Sequence, residues 1–253
     1  MFLWALIAML GGAASGPPAA APPKVLIVAD ELPAMQVLAA QLQSLEKVES
    51  VLVRQQEMPA SLEAFTAVIV YIHGRLEAST EEALLQYARH GGRLILIHHS
   101  ISWGKRLNAR WFSALGVELL EGSVDAGGYK WIEGVTIEVV NLAPRHHITT
   151  HKVEYPDRVS YPDRTGQEKD LPGIRFLHSE VYLNHRLPDQ RTILLGLRYR
   201  DPVSGKVWNQ QTAGWLKPLG KGHVVYFMPG HTSEEFRNPA YVRLIANAVI
   251  WKP

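Results

Sequence analysis

Histidine is the residue type that offers this chain the most chemistry. The sequence contains eleven histidines and no cysteine, which excludes disulfides, thiolate nucleophiles and thiolate metal ligands. Two of the histidines, His98 and His99, lie together before Ser100, at the end of the apolar stretch Arg93–Ser100. Imidazole exchanges a proton near neutral pH and is a common ligand of divalent metal ions. This stretch therefore points to acid–base or metal chemistry.

Alternating strands and helices position the two histidines. Continuous apolar runs predict buried parallel strands at Lys24–Asp30, Val48–Arg54, Thr66–Ile72 and Arg93–Ser100. Helices are predicted over Pro33–Leu45, with a proline in the first turn, and from Ser79 to about His90. This order indicates an α/β fold with an open parallel sheet. Ligands of such sheets bind beyond the carboxyl ends of the strands, which is where His98 and His99 lie.

The middle of the chain has a different composition. Residues 121–200 are rich in Gly, Pro, Asp and Tyr, and we expect irregular loops and mixed strands laid over the ends of the sheet. The strand-like pieces in this region are Val135–Val140, Gly173–His178 and Thr192–Arg200. The regular pattern returns with a predicted strand in Gly220–His231 and a closing helix over Pro239–Trp251.

Bulk composition is that of a folded chain with a mild positive charge. Of the 253 residues, 47% are hydrophobic and 20% are charged, which is enough apolar material for a substantial core. The formal net charge is +2, and lysines and arginines never form a dense block. This balance gives little reason to expect nucleic acid as a partner.

The first 23 residues predict a targeting segment. The run MFLWALIAML is shorter than the about 20 apolar residues of a membrane span, and small residues follow it. We expect a signal peptide cleaved near Ala14 or Ala21, a stiff linker, and export to the periplasm or beyond. The alternatives are an uncleaved anchor or a misassigned start codon, because no Lys or Arg precedes the run. Residues 24–253 are expected to form one domain without a membrane span.

Four segments together carry a family resemblance. They are Gly91–Trp103, with the two histidines; Arg145–His151, which contains His146; Ser179–Asn184, which contains Glu180 and Tyr182; and Thr212–Tyr241, which contains His231. Their order and spacing resemble the ThuA-like (trehalose-utilisation) family over most of the chain, from Lys24 to Trp251. Three positions depart from the family pattern, namely His99, His147 and Ser179.

The resemblance implies the fold of class I glutamine amidotransferases. That fold is a flavodoxin-like three-layer sandwich with a mostly parallel central sheet. Those enzymes carry a nucleophilic cysteine at the turn between strand and helix, where this sequence has His98-His99-Ser100. Glutaminase chemistry through a thiolate is therefore excluded. A serine nucleophile at Ser100 has little support, since the Gly-x-Ser-x-Gly motif is absent.

The implied fold brings four residues together as the catalytic group, namely His98, His146, Glu180 and His231. Three imidazoles and a carboxylate can hold a divalent metal ion such as zinc. Without a metal, a histidine and Glu180 can act as an acid–base pair, or the pocket can bind a ligand without catalysis. His99 is an alternative to His98, because neighbouring strand residues point to opposite faces.

The expected ligand is a small carbohydrate. The resemblance implies action on a sugar or an oxidised sugar, by a hydrolase, a lyase or an isomerase. The alternative is a carbohydrate-binding or interaction module without catalysis. Aromatic rings suit sugars, and loop aromatics include Trp103, Tyr129, Trp131, Tyr182 and Trp215. The predicted substrate-binding residues are Asp30, His99, Trp103, Tyr182 and Trp215.

Overall fold

The computed structural model describes residues 21–253, and the first 20 residues of the predicted targeting segment lie outside that range. The strands are β1 (Lys24–Ala29), β2 (Glu49–Val53), β3 (Ala67–Tyr71), β4 (Arg93–Ile97), β5 (Lys130–Asn141), β6 (Asp157–Pro162), β7 (Glu168–Leu183), β8 (Thr192–Arg200), β9 (Val207–Leu219) and β10 (Gly222–Phe227). The helices are α1 (Leu32–Glu46), α2 (Ala78–Arg89), α3 (Ala109–Leu115), α4 (His147–Thr150) and α5 (Pro239–Ile250). Within the described residues, no helix is long and apolar enough to cross a lipid bilayer.

All ten strands belong to one mixed sheet, in the order β2-β1-β3-β4-β10-β9-β8-β5-β7-β6. The first five strands are parallel to one another, and every pairing from β10 to β6 is antiparallel. The α/β class is as expected. The expectation of a mostly parallel sheet is wrong, because antiparallel strands make up half of it.

The middle of the chain forms long strands rather than irregular loops. Strands β5 and β7 contain 12 and 16 residues and pair with each other along most of that length. Their register shifts on both sides of Val135, and the neighbouring Gly134 has a φ of +69°, in the left-handed region that favours glycine. The glycine therefore marks a bulge, which bends the strand pair without ending it.

The parallel half of the sheet forms the rigid part of the core. Strands β1, β3, β4 and β10 are almost entirely buried, in agreement with their continuous apolar sequences. Burial of each valine, leucine or isoleucine contributes about 1.5–3 kcal/mol relative to exposure. The carboxyl ends of these strands are consequently fixed points from which functional side chains can project.

A buried charge cluster fastens α3 to the antiparallel half. Arg191 donates to the carbonyl oxygens of Leu115 and Gly116, at 3.2 and 2.7 Å, while Lys217 donates to Ala114 at 3.1 Å. Both cations also bind Asp189, and the Arg191 side chain is only 2% exposed. Positive charge is favourable at the carboxyl end of a helix, and Asp189 balances part of it.

Replacing Asp189 by alanine should destabilise the protein. Removal of one partner from a fully buried ion pair costs about 3–5 kcal/mol, and we expect about 2 kcal/mol here because Asp189 is 34% exposed. Urea denaturation measures the change. Asp125→Ala is the control, since the Asp125–Lys206 pair is largely exposed and should contribute under about 1 kcal/mol. Equal stability of both variants would contradict a fastening role for Asp189.

Candidate metal and acid–base site

Two strand ends and one antiparallel strand bring the central residues together. His98 follows β4, and His231 lies four residues beyond β10, so both project from the carboxyl edge of the parallel strands. Glu180 lies on β7, opposite Glu133 of β5 and beyond the Gly134 bulge. The bent β5–β7 pair thus carries a carboxylate across to the histidines.

Four residues form what we call the His/Glu cluster: His98, His99, Glu180 and His231. One ligand atom from each lies within 4.8 Å of all the others. The Oε2 atom of Glu180 is 2.9 Å from His98 Nε2, 3.5 Å from His99 Nε2 and 3.4 Å from His231 Nδ1. Three of the four expected residues therefore meet. His99 joins them together with His98 rather than in its place.

The backbone fixes the orientation of the His98 ring. His98 is fully buried and adopts a left-handed conformation with a φ of +49°. Its Nδ1 lies 2.6 Å from the carbonyl oxygen of Met228, an acceptor, so Nδ1 carries the proton and donates it. Burial lowers the pKa of His98, which favours the neutral ring. The opposite nitrogen, Nε2, is consequently directed at the carboxylate of Glu180, 2.9 Å away.

Glu180 is the negative centre of the cluster. Burial alone would raise the pKa of Glu180, but its contacts with the surrounding imidazoles, led by His231, lower it well below its usual range. The contact with Glu180 in turn raises the pKa of His231. Tyr182 donates its hydroxyl proton to Glu180 Oε2 at 2.8 Å and lies 3.2 Å from His98 Nε2.

His99 is held in a stack from the other side. Its ring lies 4.2 Å from that of His73, and the two planes differ by only 1°. Burial lowers the pKa of His99 to about 4, so this imidazole is neutral at physiological pH. Asp30 accepts the backbone N–H groups of His73 and Gly74, at 2.8 and 3.2 Å. Asp30, expected to bind substrate, thus positions the loop that carries His73.

A buried lysine that the sequence does not reveal ties these loops together. The Lys105 ammonium donates to the carbonyl oxygens of Ile72, His73 and His99, at 2.5, 3.2 and 3.1 Å. Lys105 is fully buried, and this burial lowers its pKa to about 7. In the sequence Lys105 lies in a polar stretch that is typical of an exposed loop, and no neighbouring residue indicates that its side chain is buried.

An aromatic wall extends from the cluster to the surface. It consists of Tyr182, Tyr129, Trp103 and Trp131. Tyr182 stacks on His98, Tyr129 is next, and both tryptophan rings lie about 6 Å beyond it. Trp103 and Trp131 are 38% and 44% exposed. Trp215 does not belong to the wall. It is fully buried between Tyr226 and the Arg191 guanidinium, so the expectation that it contacts substrate is wrong.

His146 lies at the opposite edge of the sheet, so its expected place in the cluster is wrong. Its ring packs on Trp251, which also contacts Arg93 and His223, at the amino-terminal ends of β4 and β10. The length of β4, about 13 Å at about 3.3 Å per residue, separates this edge from the cluster. The family-like motif around His146 instead caps α4, with Nδ1 accepting the N–H of Ile148 at 3.2 Å.

Ser100 has no free hydroxyl for catalysis. The side chain is fully buried, and its hydroxyl lies within hydrogen-bond distance of the backbone carbonyl oxygens of Val70 and Ile97, at 2.6 and 2.9 Å. A nucleophilic serine needs a neighbouring base and access to substrate. This geometry supports a structural role for Ser100.

Substitution of His146 should change stability and leave the cluster intact. We expect His146→Ala to cost about 1 kcal/mol, the usual effect of losing an N-cap acceptor, and His146→Asn to retain most of the stability. Urea denaturation measures both variants, and metal titration of each should match the wild type. Loss of metal binding in His146→Asn would contradict the placement of His146 outside the site.

Comparison with known proteins supports the fold and gives the family. A ThuA-like protein from Bacteroides uniformis shares the fold with a TM-score of 0.61 and 16% identity, over 94% of each chain. A β-galactosidase from Bacillus circulans sp. alkalophilus gives a TM-score of 0.50 at 11% identity, and 30% of its length matches 89% of this chain. No curated protein matches the sequence. The pattern of the ThuA family, described as trehalose utilisation, matches residues 24–252, and the chain belongs to that family.

Proposed function

We propose that the His/Glu cluster binds a divalent metal ion, with zinc as the best fit, and that the protein uses it to process a carbohydrate or an oxidised carbohydrate. One observation carries the proposal. One potential ligand atom from each of His98, His99, Glu180 and His231 lies within 4.8 Å of all the others, and three of these four residues are buried. A cation bound between the four atoms would compensate the buried charge of the carboxylate.

The spacing of the ligand atoms suits a small tetrahedral ion. Zinc–nitrogen and zinc–oxygen bonds of about 2.0–2.1 Å place neighbouring ligand atoms about 3.3 Å apart. The three imidazole nitrogens lie 2.9, 3.5 and 3.4 Å from the Glu180 oxygen. Metal-binding histidines usually donate their other N–H to a backbone carbonyl or a carboxylate, as His98 does to Met228.

The chain's own groups define what the site can do. A bound zinc ion would supply Lewis acidity toward a carbonyl or hydroxyl oxygen. Tyr182 holds a proton on its hydroxyl, 2.8 Å from Glu180, and burial raises the pKa of Tyr182 well above its usual value. Tyr182 is therefore a hydrogen-bond donor that orients an oxygen-rich substrate.

The aromatic wall supports a sugar as the ligand. The C–H faces of pyranose rings are apolar and pack on aromatic rings, and exposed tryptophans beside a polar site offer such surfaces. The family description, trehalose utilisation, agrees with this substrate class. Export from the cytoplasm belongs to the same proposal, and it rests on the composition of the first 23 residues.

A metal-free acid–base site is the second candidate, favoured by the His231–Glu180 pair. The His231 side chain is 25% exposed, so substrate can reach it, and its contact with Glu180 raises its pKa. In this arrangement His231 would donate the proton and Glu180 would stabilise the imidazolium.

Metal titration separates the two candidates. We expect one equivalent of zinc or cobalt to bind the wild type and to raise its melting temperature, because a ligand of the folded state alone stabilises that state. Glu180→Gln and His99→Ala should weaken binding at least about tenfold, whereas His90→Ala, at an exposed position beyond α2, should not. Failure of the wild type to bind either ion would leave the acid–base candidate.

Trp131→Ala should weaken sugar binding without changing metal binding. Loss of an aromatic contact worth about 0.5–1.5 kcal/mol corresponds to an affinity about 2- to 12-fold lower. Isothermal titration with trehalose in the presence of zinc measures this. Trp208→Ala is the matched control, because Trp208 stacks on Tyr199 and is no part of the aromatic wall. Equal affinity of Trp131→Ala and the wild type would place the sugar elsewhere.

A further inference from the structure

The segment Met228–Gly230 contacts one histidine of the His/Glu cluster, His98, and leads into another, His231. It follows β10 and leads directly into His231, and the carbonyl of Met228 orients the ring of His98. Any shift of this backbone therefore moves one histidine and turns the other.

Every backbone hydrogen-bonding group of this segment has a partner in the protein. The N–H of Met228 donates to Ala213 at 2.8 Å, and its carbonyl accepts from His98. Proline has no N–H, and the Pro229 carbonyl accepts from the hydroxyl of Tyr241 at 2.5 Å. Gly230 donates to Glu235 Oε2 at 2.7 Å, and its carbonyl accepts from the hydroxyl of Tyr71 at 2.7 Å.

The partners come from separate elements and are themselves buried. Tyr71 ends β3, Glu235 follows the segment in a short turn, and Tyr241 lies on α5. They are 1%, 4% and 0% exposed. Loops usually satisfy most of their backbone groups with water, whereas here three side chains do so in a dry environment.

Steric contact restricts the segment further. Gly230 has a φ of +135°, and a Cβ atom there would lie 2.8 Å from Ile97 Cγ2 and 3.2 Å from His98 Cβ. The backbone at Gly230 consequently lies in close contact with Ile97 and His98. This close approach leaves it no room to shift toward β4.

We infer that Tyr71, Glu235 and Tyr241 are positioning residues that hold His98 and His231 in the geometry required for metal binding. The inference rests on the proposed metal site. Partners beyond the ligands orient them, and their loss typically weakens metal affinity 10- to 100-fold. None of the three touches the proposed ion, so their effect is transmitted through the backbone of the segment.

Hydroxyl removal tests this inference on the full-length protein. Tyr71→Phe should bind Co²⁺ about tenfold more weakly than the wild type, in competition with a chelator, and should alter the visible absorption spectrum of the Co²⁺ complex. Tyr87→Phe is the matched control. It also removes a tyrosine–carbonyl bond, to Phe65 at 3.0 Å, but at the other edge of the sheet. Wild-type affinity and spectrum in Tyr71→Phe would overturn the inference.

Glu235 supplies an independent test that does not depend on Tyr71→Phe folding well. Glu235→Gln keeps an oxygen that can accept the Gly230 N–H, and we expect its Co²⁺ affinity within about threefold of the wild type. Glu235→Ala removes the acceptor and should bind about tenfold more weakly. Equal affinity of Glu235→Ala and Glu235→Gln would overturn the role of Glu235.

Amide hydrogen exchange keeps the two proposals separate. In the metal-free protein, the Gly230 and His231 amides should exchange faster in Tyr71→Phe and Glu235→Ala than in the wild type, because the segment opens more easily. If the wild type binds no Co²⁺, the metal proposal fails. The exchange rates of the metal-free protein then still test whether the three residues position the segment. Unchanged exchange in both variants would overturn that role.

Discussion

The contact between His98 and Glu180 is the constraint on which the rest of the site depends. The Met228 carbonyl accepts a hydrogen bond from His98 Nδ1, so the opposite nitrogen, Nε2, is directed at the buried carboxylate of Glu180, 2.9 Å away. The two groups stay in contact because each is held by its own strand. A buried parallel strand holds His98, and a strand from the antiparallel half holds Glu180. The two halves of the sheet thus meet at this pair.

The parallel and antiparallel halves of the sheet supply different residues of the site. A parallel half alone would supply only the residues at its carboxyl edge, namely His98, His99 and His231. The bulge at Gly134 bends β5 and β7, so that Glu180 and Tyr182 reach the edge from β7 and Trp131 reaches it from β5. The antiparallel half therefore provides the carboxylate, a hydroxyl donor and part of the aromatic wall, which a flat continuation of the sheet would place elsewhere.

Strands with continuous apolar sequences could be predicted from the sequence. Features that depend on contacts between distant parts of the chain could not. The apolar runs of β1, β3 and β4 marked both the strands and the edge where His98 and His99 lie. Strand β9 was missed because its first half, around Asn209 and Gln210, is polar. Only the second half of β5, Val135–Val140, was predicted, because Gly134 interrupts the strand pattern. His146 was misplaced because a motif shows the order of residues and not the edge of the sheet on which they lie. Lys105 and Glu235 gave no local signal, since their burial arises only from the folded loops.

The turn after β4 shows how an unfavourable backbone conformation is retained for the side chain that it positions. His98 occupies this turn in a left-handed conformation, which costs a non-glycine residue about 1–2 kcal/mol. That cost is offset by burial of the ring and by its hydrogen bond to the Met228 carbonyl. The chain contains no cysteine that could act there as a nucleophile. His99, His231 and Glu180 instead surround His98 with potential ligand atoms, so the conformation of the turn serves the His/Glu cluster rather than a thiolate.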